Sequence, residues 1–241
     1  MNKPVELQEQ GSLAEQAYQR LKFDIITCVL APGEQIAQPQ LVERYQLGVT
    51  PVREALQRLV QEGFVAALPR FGYTVAPITL SDVREIFELR EILEKAIVQL
   101  AIARAEQGQL DQLAADADFT YIYHDKPSYV DFLTRNEQFH LAIAEMAGNQ
   151  RLVEMLSKVL GELTRVFHLG LDLRDSTQEM REEHVSLTQA LCVRDTQAAL
   201  HMVESQISRS KQRIMEALLD GASLGKAGEI EHALRIETRK P

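Results

Sequence analysis

Thr50-Pro51-Val52-Arg53-Glu54-Ala55-Leu56-Gln57-Arg58-Leu59 is the stretch whose reading decides the fold. It predicts a helix with a clear beginning. Thr50 suits the N-cap, its hydroxyl accepting from an orphan backbone N–H. Pro51 suits the first helical position, where no donor is needed. Glu54 falls within the first turn, near the positive end of the helix dipole. Val52, Ala55, Leu56 and Leu59 form one apolar face at helical spacing. Arg53 and Gln57, four apart, share another face. A short helix over Gln40–Tyr45 precedes, and a turn containing Gly48 joins the two. This is a helix-turn-helix pattern, whose second helix can enter a major groove by its N-terminal residues. An Arg there can grip a guanine edge or a phosphate. Two short helices with a tight turn also occur in all-α proteins that never meet DNA, so the pattern alone leaves both readings open.

The segment just C-terminal to this helix favours DNA binding. Phe64–Leu68 reads as a strand, Pro69-Arg70-Phe71-Gly72 as a turn, and Tyr73–Ala76 as a second strand. A hairpin directly after such a helix is a wing, and Arg70 at its tip can reach a minor groove.

Residues 12–76 resemble the winged-helix domain of the GntR family of bacterial transcription regulators. The resemblance is carried by Ala31-Pro32-Gly33-Glu34, Gln40-Leu41-Val42-Glu43-Arg44-Tyr45, Thr50-Pro51-Val52-Arg53-Glu54-Ala55-Leu56, Glu62-Gly63-Phe64 and Arg70-Phe71-Gly72. It implies that Arg53 meets a base edge or phosphate, with Gln57 on the same face. It also implies that Thr50 and Arg44 hold phosphates and that Arg70 with Gly72 places the wing. The family usually has Ser or Thr and then Arg just before the Thr-Pro pair; Gly48 and Val49 stand there instead.

Of the 241 residues, 45% are hydrophobic and 25% charged, the proportions of a globular protein able to bury a core. The net charge of −9 divides unevenly: −1 over residues 1–78 and −8 over 79–241. The first part therefore lacks the strongly basic footprint usual in DNA-binding domains. A local positive strip of Arg44, Arg53, Arg58 and Arg70, doubled in a dimer, is expected in its place. Cys28 and Cys192 make neither a disulfide framework nor a zinc ribbon, and fit a reducing cytosol. No run of about eighteen apolar residues suggests a membrane span. Met1–Gly11 is polar and lacks a signal segment. A cytoplasmic protein is expected.

In chain order, residues 1–11 are expected as a flexible arm and 12–76 as the winged domain, whose first helix runs from Leu13 to Cys28. There Leu13, Ala17, Leu21, Ile25 and Ile26 are spaced as a core face. Residues 77–80 are a linker, and Ser81 caps the next helix. Helices come next at about 81–106, 109–123, 128–147, 149–169, 175–193 and 195–219. Connections this short imply an antiparallel six-helix bundle over 81–219. The tail, 220–241, either forms a short helix near 228–237 or is disordered. The expected fold is mainly α: an N-terminal winged helix-turn-helix domain followed by an all-α antiparallel six-helix bundle.

Residues 79–218 resemble the FCD ligand-binding domain of the FadR-like branch. The carrying residues are Glu88-Leu89-Arg90-Glu91-Ile92-Leu93-Glu94, then Phe139-His140 with Ala147-Gly148-Asn149, then Glu183-His184 with Asp195. In resembling proteins an Asp and three His hold a divalent metal between helices. The matching positions are Asn136, His140, His184 and Gln206. Asn and Gln offer neutral oxygens, poorer ligands for zinc or nickel than carboxylate or imidazole. His201, five residues from Gln206, points to another face. Three readings stand: His140 and His184 with Asn136 hold a metal, or they donate to an organic effector, or they are satisfied core histidines. Arg90 lies on a helix whose Ile86, Leu89, Leu93, Ala96 and Ile97 face the core, so it needs an anionic partner. That partner is an internal acid or an effector carboxylate gripped bidentately. The resemblance favours the carboxylate, because family effectors are often small organic acids. Arg135, Arg165 and His168 are weaker candidates.

The leading expectation is a ligand-responsive regulator that binds operator DNA as a homodimer, with no membrane partner. One rival is a di-metal bundle enzyme using Glu137-Gln138-Phe139-His140. Such enzymes need the Glu-x-x-His element twice; the second match is Glu229–His232, and Arg181 stands where His184 would need a Glu. A hydrolase or isomerase using His140 and His184 lacks a nucleophile motif. A DNA-binding scaffold with a degenerate pocket is the third rival.

Overall fold

The computed structural model describes residues 11–69, 72–171 and 174–223. The chain divides into two compact units, with the boundary between Ile78 and Thr79.

The first unit opens with α1, Leu13–Ile26, whose N-cap Ser12 accepts a hydrogen bond from the Glu15 backbone N–H at 3.2 Å. The helix ends two residues earlier than expected: Thr27 is its C-cap and Cys28 turns left-handed at φ 55°. Ala17, Leu21 and Ile25 are buried, whereas Leu13, assigned to that face from its spacing, is exposed on the first turn. Helix α2 is Gln38–Tyr45, with Ala37 as N-cap and Pro39 in its first turn. Helix α3 is Val49–Gln61, and its N-cap is Gly48. Thr50 is therefore the second helical residue rather than the cap, and Pro51 the third. Pro51 still lies where backbone donors lack an intrahelical partner. Glu54 sits beyond the first turn, which holds no acid. Val52, Ala55, Leu56 and Leu59 are buried as their spacing predicts, packed on α1.

The wing is a three-stranded antiparallel sheet of order β1-β3-β2, with β1 Gln35–Ile36, β2 Val65–Leu68 and β3 Gly72–Val75. β3 pairs Thr74 with Gln35 on one side and with Ala66 on the other. Gly72 has φ 92°, and a Cβ there would lie 3.0 Å from the Ile36 carbonyl oxygen. Both facts demand glycine where the hairpin returns.

The second unit is helical: α4 Leu80–Arg104, α5 Gln107–Asp116, α6 Lys126–Met146, α7 Gln150–Leu171, α8 Thr177–Cys192 and α9 Thr196–Ser223. Thr79, not Ser81, caps α4. Its hydroxyl accepts from the Asp82 N–H at 3.0 Å, and Asp82 accepts from the Thr79 N–H at 2.9 Å, a reciprocal capping box. Helix α5 stops at Asp116, seven residues short of the expected 123. The segment 117–125 instead buries Ala117, Phe119 and Tyr121. It is tied by the Tyr129 hydroxyl accepting from the His124 N–H and by Ser128 Oγ accepting from the Ile122 N–H. Pro127 falls in the first turn of α6 rather than before it. Helix α4 packs against α6, α7 and α9. Two arginines close helix ends: Arg104 donates to the Ala147 carbonyl after α6, and Arg194 donates to the Ile102 and Ala105 carbonyls at the end of α4. Helix α9 continues past the expected end at 219. The arm before Gly11 and the helix considered near 228–237 lie outside the described residues. Among the described residues no helix is long and apolar enough to cross a membrane.

Candidate functional site

Two places carry the residues of interest, one in each unit. In the first, the turn Gln46-Leu47-Gly48 joins α2 to α3, with Gln46 left-handed at φ 54°. A three-residue turn is the connection a helix-turn-helix requires. Gln38 Nε2 donates to the Val49 carbonyl at 3.0 Å and ties the two helices at that corner. Val49, Thr50, Arg53, Glu54 and Gln57 are exposed along the outer side of α3. Arg53 makes no hydrogen bond or ion pair with any described residue.

The other arginines of the expected strip are not free. Arg44 pairs with Asp24 at 3.2 Å, and the same carboxylate accepts from the Tyr45 hydroxyl at 2.7 Å. Burial first, then that hydrogen bond, pushes the Tyr45 hydroxyl well above its ordinary pKa. Arg58 lies 3.5 Å over the Tyr18 ring and pairs with Glu15 at 2.9 Å and Glu62 at 3.2 Å. Arg58 thus braces α3 against α1. The strip contracts to Arg53, with Arg70 outside the described residues.

In the bundle, Arg90, Glu94, Asn136, His140, His184 and Gln206 are all buried. Arg90 Nε donates to Glu94 Oε1 at 2.6 Å, and Arg90 Nη2 meets His140 Nε2 at 2.9 Å. A guanidinium cannot accept, so His140 Nε2 presents its lone pair and the ring proton sits on Nδ1. That nitrogen lies 3.0 Å from Glu94 Oε2, facing the carboxylate but off line for a hydrogen bond. Burial above all, and then Arg90, lowers the His140 pKa despite the pull of Glu94, so the ring is neutral. Burial works against ionising Glu94, but Arg90 and His140 outweigh it and hold the carboxyl at about 2. Arg90 therefore has an internal acid as its anionic partner. The effector carboxylate that the resemblance favoured finds this cation already matched.

His184 packs against two rings, with centroids 4.8 Å from Phe119 and 4.6 Å from Phe139. Both of its ring nitrogens are buried without a hydrogen-bond partner, as is Gln206 Oε1. Burial first, then His140 and Arg90, pushes its pKa well below the ordinary value.

The set does not fit zinc or nickel. The single lone pair of His140 is given to Arg90, and that guanidinium repels a second cation beside it. Asn136 and Gln206 add only neutral donors. Among the described residues no group of three or more His, Cys, Asp or Glu could hold a metal ion. The second Glu-x-x-His element of the di-metal rival, Glu229–His232, lies outside the described residues. Arg181 is taken by Asp118.

Of the weaker candidates, Arg135 sits 5.0 Å over the Phe119 ring and lines a groove of about 720 Å³ between α5 and α6. Arg165 is buried. His168 is lowered to about 4, by burial and then by Lys126. Sequence spacing allows Arg90 an internal acid without naming Glu94, and the buried ion pair of Arg213 with Glu183 at 2.7 and 2.9 Å escaped the sequence reading. The first had a signal, an Arg and a Glu four apart beside the core positions Leu93 and Ile97. The second joins α8 to α9, and nothing in the sequence links the two positions.

Residues 13–75 match the bacterial regulatory proteins of the gntR family, and residues 85–209 match the FCD domain. The chain belongs to the GntR family. The HTH-type transcriptional repressor GlaR of Escherichia coli K12 is 31% identical over 209 residues, covering 83% of this chain and 95% of that protein. The repressor RspR of the same organism is 25% identical over 204 residues, covering 85% and 88%. A GntR transcriptional regulator from Rhodococcus sp. RHA1 shares the fold at TM-score 0.67 and 23% identity, covering 86% of this chain and 99% of that one. McbR/YncC of E. coli does so at 0.63 and 23%, with the same coverage. This GntR member is thus a transcriptional regulator with a DNA-binding helix-turn-helix domain and an FCD domain.

Proposed function

We propose that this GntR-family regulator binds operator DNA as a homodimer and that a small polar effector in the FCD bundle sets its affinity. The observation that carries the DNA half is Arg53, exposed and unpaired near the start of α3. Arg53 grips a guanine edge or a phosphate, Thr50 and Gln57 flank it, and Gly72 with Arg70 sets the wing. Arg44, held by Asp24, contributes less than the resemblance implies. Leu89, assigned to the core from its spacing but 39% exposed, stands with Ile92 on α4 and Met155 on α7, 61% and 48% exposed, as apolar side chains suited to a contact between two copies. That two relatives are named repressors supports a repressor role.

The effector half rests on the unpartnered nitrogens of His184 and on Gln206 Oε1. Buried polar atoms left bare cost about 1–3 kcal/mol each, so a ligand offering both donors and acceptors there gains affinity. With Arg90 neutralised by Glu94, an organic acid reaches the guanidinium only by displacing Glu94. Hydroxyl- or amide-bearing molecules need no such exchange. Either ligand alters DNA affinity only as far as it binds two protein states unequally.

The test is fluorescence anisotropy with duplexes from upstream of the regulator's own gene. Arg53→Ala is expected to cost about 1–3 kcal/mol; undiminished specific binding removes Arg53 from its role. Thermal shift against carboxylates, polyols and amides tests the effector. A shift from any of them that survives His184→Phe places that ligand elsewhere.

A further inference from the structure

Val49 is the first residue of α3 and is 59% exposed, an apolar β-branched side chain facing solvent at the mouth of the reading helix. It is not part of the domain core, which takes Val52, Ala55, Leu56 and Leu59 from the same helix. Its position is fixed: the hydrogen bond from Gln38 to its carbonyl ties it to α2. Val49, Arg53 and Gln57 are spaced four apart on one outward strip. The N-terminal residues of this helix are those a helix-turn-helix sets against base edges. In the major groove the apolar group among those edges is the thymine C5-methyl.

We propose that Val49 is a sequence-reading residue that packs against a thymine methyl in each operator half-site. Four helical residues rise about 6 Å, which spans one to two base steps of about 3.4 Å along a strand. The thymine therefore lies one or two base pairs from the position Arg53 contacts. Val49 supplies no charge and no hydrogen bond, so its contribution is methyl burial alone and is independent of salt.

This rests on the DNA-binding reading, and the experiment separates the two. The full-length protein selects bound sequences from a random duplex pool, and each thymine of the enriched site is then replaced by deoxyuridine, which lacks the methyl. One thymine per half-site is expected to weaken wild-type binding about three- to fivefold on replacement, the value of one buried methyl. Its neighbour one or two base pairs away should be the position whose preference is lost in Arg53→Ala. Val49→Ala, at an exposed site that leaves the core intact, keeps only its Cβ and should lose most of the discrimination between thymine and deoxyuridine. Val49→Arg should exchange the thymine preference for guanine. Indifference of the wild type to every deoxyuridine, or the same penalty in Val49→Ala, overturns the proposal while leaving the DNA-binding reading in place. A pool with no enriched sequence overturns both.

Discussion

Replacing Glu94 by Gln keeps the shape of the side chain and removes its charge. The Arg90 guanidinium, 2% exposed, then has no anion, and the neutral His140 ring cannot supply one. Stranding a buried charge in this way costs about 3–5 kcal/mol. The carboxyl gives a second route to the magnitude. It titrates at about 2 in the fold against an ordinary 4.5, a difference worth about 3 kcal/mol of stability at neutral pH. Because the folded value is the lower, that stability is fully present above pH 4.5 and drains away as pH falls toward 2. Glu94→Gln should lack this acid-dependent share. Arg90→Met strands the carboxylate instead and should cost a similar amount. The double variant removes both charges and should lose far less than the sum, with a coupling of roughly 2 kcal/mol or more. Urea denaturation at fixed protein concentration measures all four proteins, read as midpoint shifts at constant slope. Single losses below about 1 kcal/mol that simply add would show that the pair contributes no more than an exposed one, and the reasoning would fail.

Three further outcomes are expected. His168 titrates at about 4 in the fold against 6.5, so stability is complete above pH 6.5 and falls through pH 4 by up to about 1.4 kcal/mol per pH unit. His168→Gln should flatten melting temperature against pH in that window, and an unchanged slope would exonerate the residue. Zinc, nickel or a chelator should leave the wild-type melting temperature where it is; a drop on chelation would contradict the Arg90–His140 contact. A Cβ at Gly170 would fall 2.3 Å from Ile214 Cδ1, the free end of a side chain that can turn aside. Rotamer strain of about 0.5–1.5 kcal/mol is then set against about 1 kcal/mol of helix propensity, so Gly170→Ala should shift stability by no more than about 1 kcal/mol. A large loss in the single variant on a thermal melt, recovered by adding Ile214→Val, which removes that carbon, would show that Ile214 cannot move.

The winged domain is legible because its signals are local. The apolar spacing of α3, the Gly48 turn and the alternation of the hairpin each specify backbone within a few residues. Thr50 is misplaced by sequence reasoning because a Thr before Pro reads as a cap, whereas here the chain enters the helix one residue earlier through Gly48. Strand β1 escapes it since two residues carry no alternation; the strand exists through pairing with Tyr73 and Thr74, far along the chain. The overrun of α5 has a similar source. Phe119 and Tyr121 look helical in composition, but their rings are drawn into the core beside Phe132, and tertiary packing overrides propensity. At the candidate sites, residue types and positions are readable and partnerships are not. Arg53 stands free with no acid three or four residues from it on α3, while Arg58 is held by Glu15, 43 residues away. Charge alone does not distinguish them.

Of the five described lysine and arginine side chains in the winged unit, Arg20, Lys22, Arg44 and Arg58 are engaged by the protein's own oxygens. Each phosphate neutralised contributes about 0.9 to the logarithmic salt slope, and the described residues offer little to release condensed counterions. On the described side chains alone, arbitrary duplex is expected to hold this regulator loosely. Against the millions of competing sites in a chromosome, such a helix would owe its occupancy to how well a few base edges match it, with few copies lost to irrelevant sequence during the search.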